Sequence, residues 1–117
     1  MLQLVLVSPE RLLVDEQVDE VQVPGLDGYM GILPGHAPLL SELKAGVLSY
    51  RAGSGTKKVA VYGGFVEVQG DRVRVLADAA QLKEEINPEL AREELRKANA
   101  NSLDETARAQ AKLDAAL

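Results

Sequence analysis

The chain opens with short runs in which apolar residues recur at every second position. "LQLVLV" (2–7), "DEVQVP" (19–24), "VLSYR" (47–51), "KVAVY" (58–62), "FVEVQ" (65–69) and "RVRVLA" (72–77) share this period. It sends successive side chains to opposite faces of a strand. Turn signals separate the runs: Ser8-Pro9, Pro24-Gly25, Gly53-Ser54-Gly55, Gly63-Gly64 and Gly70-Asp71. Many short strands punctuated in this way predict an antiparallel β-sandwich or flattened barrel. Gly63-Gly64 predicts a two-residue hairpin, because a left-handed backbone is easy only without a Cβ. "RAGSGTKK" (51–58) predicts a second hairpin; it lacks the spacing and the following helix of a phosphate loop.

The pattern then changes. Asn87 before Pro88 predicts a helix start, since Asn caps and Pro loses nothing at the first position. Ala91, Leu95 and Ala98 fall on one face, and Glu93 and Lys97 are an i,i+4 pair. "NAN" (99–101) breaks the run, and Ser102 with Glu105 forms a capping-box pattern that opens a second helix. Its apolar side is expected at Leu103, Ala107, Leu113 and Leu117. Composition follows the same division. Every valine lies at or before Val75 and every glycine at or before Gly70, whereas alanine dominates from Ala77 onward. Valine favours pleated strands and alanine favours helix. The boundary is placed near 77–86, giving a β domain over 1–83 and a helical hairpin over 84–117. Helices this short are marginal alone, and alanine methyls bury little area, so a weakly held, movable appendage is expected.

The remaining totals exclude more than they identify. With three Tyr, one Phe and no Trp the core must be aliphatic, and a net charge of −5 argues against a nucleic-acid binder. No cysteine is present, so disulfides and thiolate metal sites are excluded. The N-terminal stretch lacks the basic and apolar regions of a signal peptide, and no apolar run is long enough to span a membrane. No catalytic set emerges. His36 is the sole histidine and has no nucleophile arranged around it; a loop carbonyl or a contact surface is its simplest role. The acidic pairs Asp15-Glu16, Asp19-Glu20 and Glu84-Glu85 read as solvated charge, and Lys57-Lys58 as an exposed hairpin edge.

One stretch, "GLDGYMGILPGHAPLL" (25–40), concentrates four glycines, two prolines and the histidine. Within it Gly28, Gly31, Ile32, Pro34, Gly35, His36, Ala37, Pro38, Leu39 and Leu40 match the signature of the ε subunit of bacterial F-type ATP synthases, which corresponds to the mitochondrial δ subunit. Gly46 opening the next strand, "GGFVEV" (63–68) and "VRVLADAA" (73–80) extend the resemblance over the whole chain.

The resemblance implies a flattened sandwich of about ten strands followed by an antiparallel helical hairpin, with no catalytic site and no cofactor. It implies a central-stalk subunit that grips the γ subunit, sits on the c-ring and rotates with both, and that meets the membrane only through the complex, at the cytoplasmic face of the bacterial inner membrane. A stiff projecting loop at Asp27, Gly28 and Tyr29 should face the c-ring, and His36 and Leu40 should lie on or near the γ-facing surface. The hairpin should engage the α and β subunits transiently and inhibit ATP hydrolysis, with Arg108 and Lys112 as the cations that meet an acidic segment. Three acids against these two bases on the second helix, and its short length, point to partial inhibition. Some relatives bind ATP through Ile/Leu-Asp-x-x-Arg-Ala; here Ile86, Asn87, Pro88, Glu89, Leu90 and Ala91 occupy those places. Losing the guanidinium removes a contact of roughly 1.5–3 kcal/mol, so weak or absent ATP binding is expected. Two other classes compete with this reading. A free-standing β-sandwich ligand-binding module would want exposed aromatics, and a small enzyme would want a nucleophile–base pair. Binding to γ would separate the first from a stalk subunit, and turnover dependent on His36 would identify the second.

Overall fold

The computed structural model describes residues 1–98 and 102–117, so the expected helix break at 99–101 lies outside the described residues. Eight strands form: β1 (Leu2–Val7), β2 (Leu12–Val18), β3 (Glu20–Gly25), β4 (Gly28–Ile32), β5 (Leu39–Ala52), β6 (Gly55–Gln69), β7 (Arg72–Ala77) and β8 (Ala80–Leu82). A 3₁₀ turn at Lys83–Glu85 leads to helices α1 (Pro88–Lys97) and α2 (Leu103–Ala116). The strand path is β2-β1-β7-β6-β5-β3-β4, with β8 on the edge of β6. All pairs are antiparallel except β1 with β7.

One aliphatic cluster fills the interior. Leu2, Leu4 and Leu6, Val21 and Val23, Leu48, Val59 and Val61, Val66 and Val68, and Val73 and Val75 are almost wholly shielded from water. Their period-two spacing is the pattern that marked the strands in the sequence.

The two long strands correct the sequence reading. The hairpin at Gly53-Ser54 forms as expected, with Ala52 opposite Gly55. Gly63-Gly64 makes no hairpin; it lies inside β6. The apolar phase does change there. Val59 and Val61 point inward before the glycines, and Val66 and Val68 after them. A bend produces the shift, with φ of 89° at Gly63 and 129° at Gly64. A Cβ on Gly64 would lie 2.1 Å from the Leu76 carbonyl oxygen, so the bend admits nothing larger than glycine. On one side of the bend β6 pairs β8, and on the other it pairs β7. Strand β5 follows the same course, and Gly46 falls within it rather than opening it. Strands β5 and β6 thus each act as two strands, which accounts for eight strands where the resemblance implies about ten. The sequence reading also left β2, β4, β8 and the first part of β5 unassigned.

The helical arm caps as its sequence predicts. Asn87 Oδ1 accepts from the amides of Glu89 (2.9 Å) and Leu90 (3.2 Å), and Ser102 Oγ accepts from Glu105 (3.3 Å). The buried side of α2 is only partly the expected one: Leu113 packs inward, but Ala107 is exposed. Leu103 is 84% exposed and Leu117 59%, while Ala109, Ala111, Ala115 and Ala116 are buried. Helix α2 lies across β5 and β6, where Ala45, Val47 and Ala60 face it. Small side chains supply most of that close approach, with Leu113 packed beside them, and Leu103 and Leu117 are left outside.

Candidate functional site

Three surfaces carry the residues singled out from the sequence. The first is the tip of the β3–β4 hairpin. Gly25 and Gly28 are its last paired residues, so Leu26 and Asp27 form a two-residue turn and Gly28 and Tyr29 belong to β4. The expected loop is therefore a tight hairpin. Asp27 is exposed, and the Leu26 amide donates to the Glu42 carbonyl (3.0 Å). Tyr29 is 58% exposed, yet its hydroxyl accepts from the Val47 amide at 3.0 Å. It does so where the β3–β5 register jumps between Gln22 and Gly25 and Pro24 lies in the gap. The phenol reaches the amide across Gly46, where a Cβ would sit 2.5 Å from Pro24 and 2.9 Å from the hydroxyl.

The second surface joins the 33–38 connection to one outer face of the sandwich. His36 is half-buried; its Nδ1 lies 2.7 Å from the Ala37 carbonyl oxygen, and its amide donates to Leu33 at 3.1 Å. A protonated Nδ1 makes that contact a hydrogen bond, the structural role expected of it. Leu40, near the start of β5, is 71% exposed. The helical arm packs against the other half of the long strands, at Ala45, Val47 and Ala60. Cross-strand register sets Phe65, Leu76, Val7 and Leu12 in one row. Phe65 is 50% exposed, Leu76 57% and Leu12 56%. The neighbouring row carries Leu40, then Glu67 and Arg74, which pair at 3.5 Å. Sequence reading did not single out Phe65, Leu76 or Leu12. A signal existed for the first two: each is apolar at the phase that otherwise holds Glu67 and Gln69, or Arg72 and Arg74.

The third surface is the arm. A cleft of about 470 Å³ between the arm and the sheet is lined by Tyr62, Gln81, Glu94, Lys97, Arg108 and Lys112. Lys112 Nζ donates to both carboxylate oxygens of Glu94 at 3.0 Å. The Arg108 guanidinium lies 5.9 Å from the Tyr62 ring centroid, and its Nε is 3.4 Å from Asp104. The Tyr62 hydroxyl donates to Gln81 (2.7 Å). Burial pushes that phenol up to about 12, Glu94 adds to the shift and Arg108 opposes it. At the root of the arm Arg11 makes a two-pronged contact with Glu85 (2.7 and 2.5 Å). That hydrogen-bonded guanidinium holds the Glu85 carboxyl below the usual range.

The segment expected to correspond to a nucleotide motif opens α1. Asn87 spends its side chain on the helix cap, Leu90 is 61% exposed and Ala91 is buried. Arg92 lines a separate shallow depression with Glu84, Glu85 and Glu89. No group of acidic or histidine side chains that could hold a metal occurs among the described residues, and none of the described helices is long and apolar enough to cross a membrane.

Comparison with known proteins agrees with these features. The family described as ATP synthase, Delta/Epsilon chain, beta-sandwich domain matches residues 1–83. The ATP synthase epsilon chain of Solibacter usitatus is 50% identical, the match covering 88% of this chain and 77% of that one. The epsilon chain of Nitratidesulfovibrio vulgaris strain DP4 is 44% identical, covering 99% and 90%. Among solved structures, one of the Euglena gracilis mitochondrial ATP synthase superposes with a TM-score of 0.75 at 23% identity, covering 97% of this chain and 75% of that one. One of the Tetrahymena thermophila mitochondrial ATP synthase central stalk and c-ring gives 0.71 at 14%, covering 99% and 96%. At those identities the likeness speaks for the fold, while the match over the strands and the 44–50% identities show the lineage: the chain belongs to the ATP synthase epsilon chain family.

Proposed function

We propose that the chain is a non-catalytic rotor subunit of an F-type ATP synthase, coupling γ to the c-ring. The observation that supports it best is the asymmetry of the sandwich. The arm packs against one half of the long strands; away from it Leu40, Phe65, Leu76 and Leu12 are presented to solvent. An apolar row of this extent suits a protein partner. In a member of this family that partner is γ, with His36 and Leu40 at the border of the contact. The β3–β4 tip, with Asp27, Gly28 and Tyr29, faces the c-ring, and Asp27 offers it an unshared charge to read. The strand domain, residues 1–83, carries the docking surfaces, and the arm, residues 84–117, is the regulatory part. Arg108 and Lys112 meet an acidic segment of the catalytic head when the arm leaves the sheet, giving partial inhibition of hydrolysis. The complex lies at the cytoplasmic face of the bacterial plasma membrane, and this subunit reaches the membrane only through its partners.

The test is assembly. The full chain should copurify with γ, and cysteine at Asp27 should crosslink to the polar loop of the c-ring. Crosslinks confined to α or β subunits would refute the orientation, and a folded chain that fails to bind γ would refute the assignment.

A further inference from the structure

The arm holds both of its inward-facing cations. Lys112 is 23% exposed at its side chain, the most shielded basic partner in any ion pair among the described residues, and Glu94 of α1 grips it with both oxygens at 3.0 Å. Arg108, one turn earlier on α2, lies over the ring of Tyr62, which is itself only 9% exposed and fixed by Gln81. The same two cations are those assigned above to an external acidic partner. Glu94 on Lys112, and the Tyr62 ring and Asp104 beside Arg108, whose side chain keeps 49% of its surface in water, compete with an outside acid for these two charges.

We infer that Glu94 and Tyr62 are internal competitors for that partner: Glu94 holds Lys112 within the arm, Tyr62 holds Arg108 against the sheet, and each lowers the share of that cation open to an outside carboxylate. This rests on the reading of the arm as an inhibitory element. The apolar part of the docking sets alanine methyls from Ala91, Ala111, Ala115 and Ala116 beside Tyr62, Ile86, Val47 and Leu113. Glu94 carries a second consequence. Once the arm opens away from the sheet, the ion pair with Lys112 either breaks or travels with the helices, and only in the first case is Lys112 free for an outside carboxylate. A glutamine at 94 removes the competing charge in both cases.

The experiment compares ATP hydrolysis by the assembled complex carrying the full-length chain with Glu94→Gln, Lys112→Ala, the two together, and Tyr62→Phe. Glu94→Gln should deepen inhibition by about 1.5- to 5-fold, the range an ion pair of this exposure supports. Lys112→Ala should relieve inhibition, and the double variant should match Lys112→Ala, because the competitor acts only through the cation. Tyr62→Phe keeps the ring face and should behave as the unaltered chain. In the isolated chain, Glu94→Gln should also speed hydrogen exchange of the α2 amides. If Lys112→Ala relieves inhibition while Glu94→Gln leaves it unchanged or weaker, the competition is refuted and the inhibitory arm stands. If neither Lys112→Ala nor Arg108→Ala alters hydrolysis, the reading of the arm fails and takes this inference with it.

Discussion

Truncating Phe65 or Leu76 to alanine should weaken binding to γ while leaving the fold in place. Phe65 keeps 50% of its surface in water and Leu76 57%. A phenylalanine side chain offers roughly 200 Å², so about 100 Å² of Phe65 is available for burial. At about 25 cal/mol per Å², full burial against a partner is worth about 2.5 kcal/mol. Association also orders side chains and desolvates the nearby Glu67–Arg74 pair, so less than that is realised. The expected loss is about 1–2 kcal/mol for each variant, or roughly 5- to 30-fold in Kd. Neither side chain belongs to the interior cluster, so the urea midpoint should move far less than for a core truncation such as Leu4→Ala, which should cost about 2–5 kcal/mol. The assay is calorimetric titration of the purified chain into γ, with Arg92→Ala on the arm as a control that should bind normally. Unchanged affinity in both Phe65→Ala and Leu76→Ala, with circular dichroism like that of the unaltered chain, would show that γ does not use this face.

Three further outcomes follow from other parts of the molecule. Gly64→Ala places a Cβ against the Leu76 carbonyl at a left-handed backbone, and should lower stability by about 2–5 kcal/mol in urea unfolding; a midpoint unchanged from the parent would mean the bend is not as tight as described. Burial raises the Tyr50 and Tyr62 phenols to about 12 from an ordinary value of 10. Both stay protonated in the folded chain while the unfolded chain ionises, so stability should be full below pH 10 and decline up to about pH 12, measured as urea midpoints across that window. ATP at micromolar concentration should give no saturable heat with the isolated chain, since Asn87 is committed to its cap and Leu90 stands where the motif has arginine; a measurable micromolar Kd would overturn this.

Period-two patterning located the sandwich because strands shielded on one face have no other way to bury valine. The arm's two starts were legible for a local reason: Asn87, Pro88 and Ser102 act on backbone groups within three residues of themselves. What the sequence hid depends on distant strands. A phase change at Gly63-Gly64 fits a hairpin or a bend equally well, and only the pairing of β6 with both β8 and β7 distinguishes them. The buried face of α2 was only partly legible: Leu113 reaches the cluster, but alanine rather than leucine supplies most of the side turned to Ala45 and Ala60. The signature pointed to Asp27 and His36, but Phe65 and Leu76 gain meaning only when register lines them up on one face.

The hydrogen bond from the Val47 amide to the Tyr29 hydroxyl has a mechanical consequence. The Leu26 amide ties the tip to Glu42 of β5, but the gap in the β3–β5 ladder between Gln22 and Gly25 leaves that link unsupported from behind. The phenol braces the tip against the middle of β5. A sideways push on the tip enters β5 at Glu42 and Val47 and runs along that strand to Leu40. Thirteen register pairs tie that strand to β6, so the push is shared in shear across many hydrogen bonds rather than carried by one. Tyr29→Phe removes the brace and keeps the ring; it leaves the parts in place and makes the transmission between them softer.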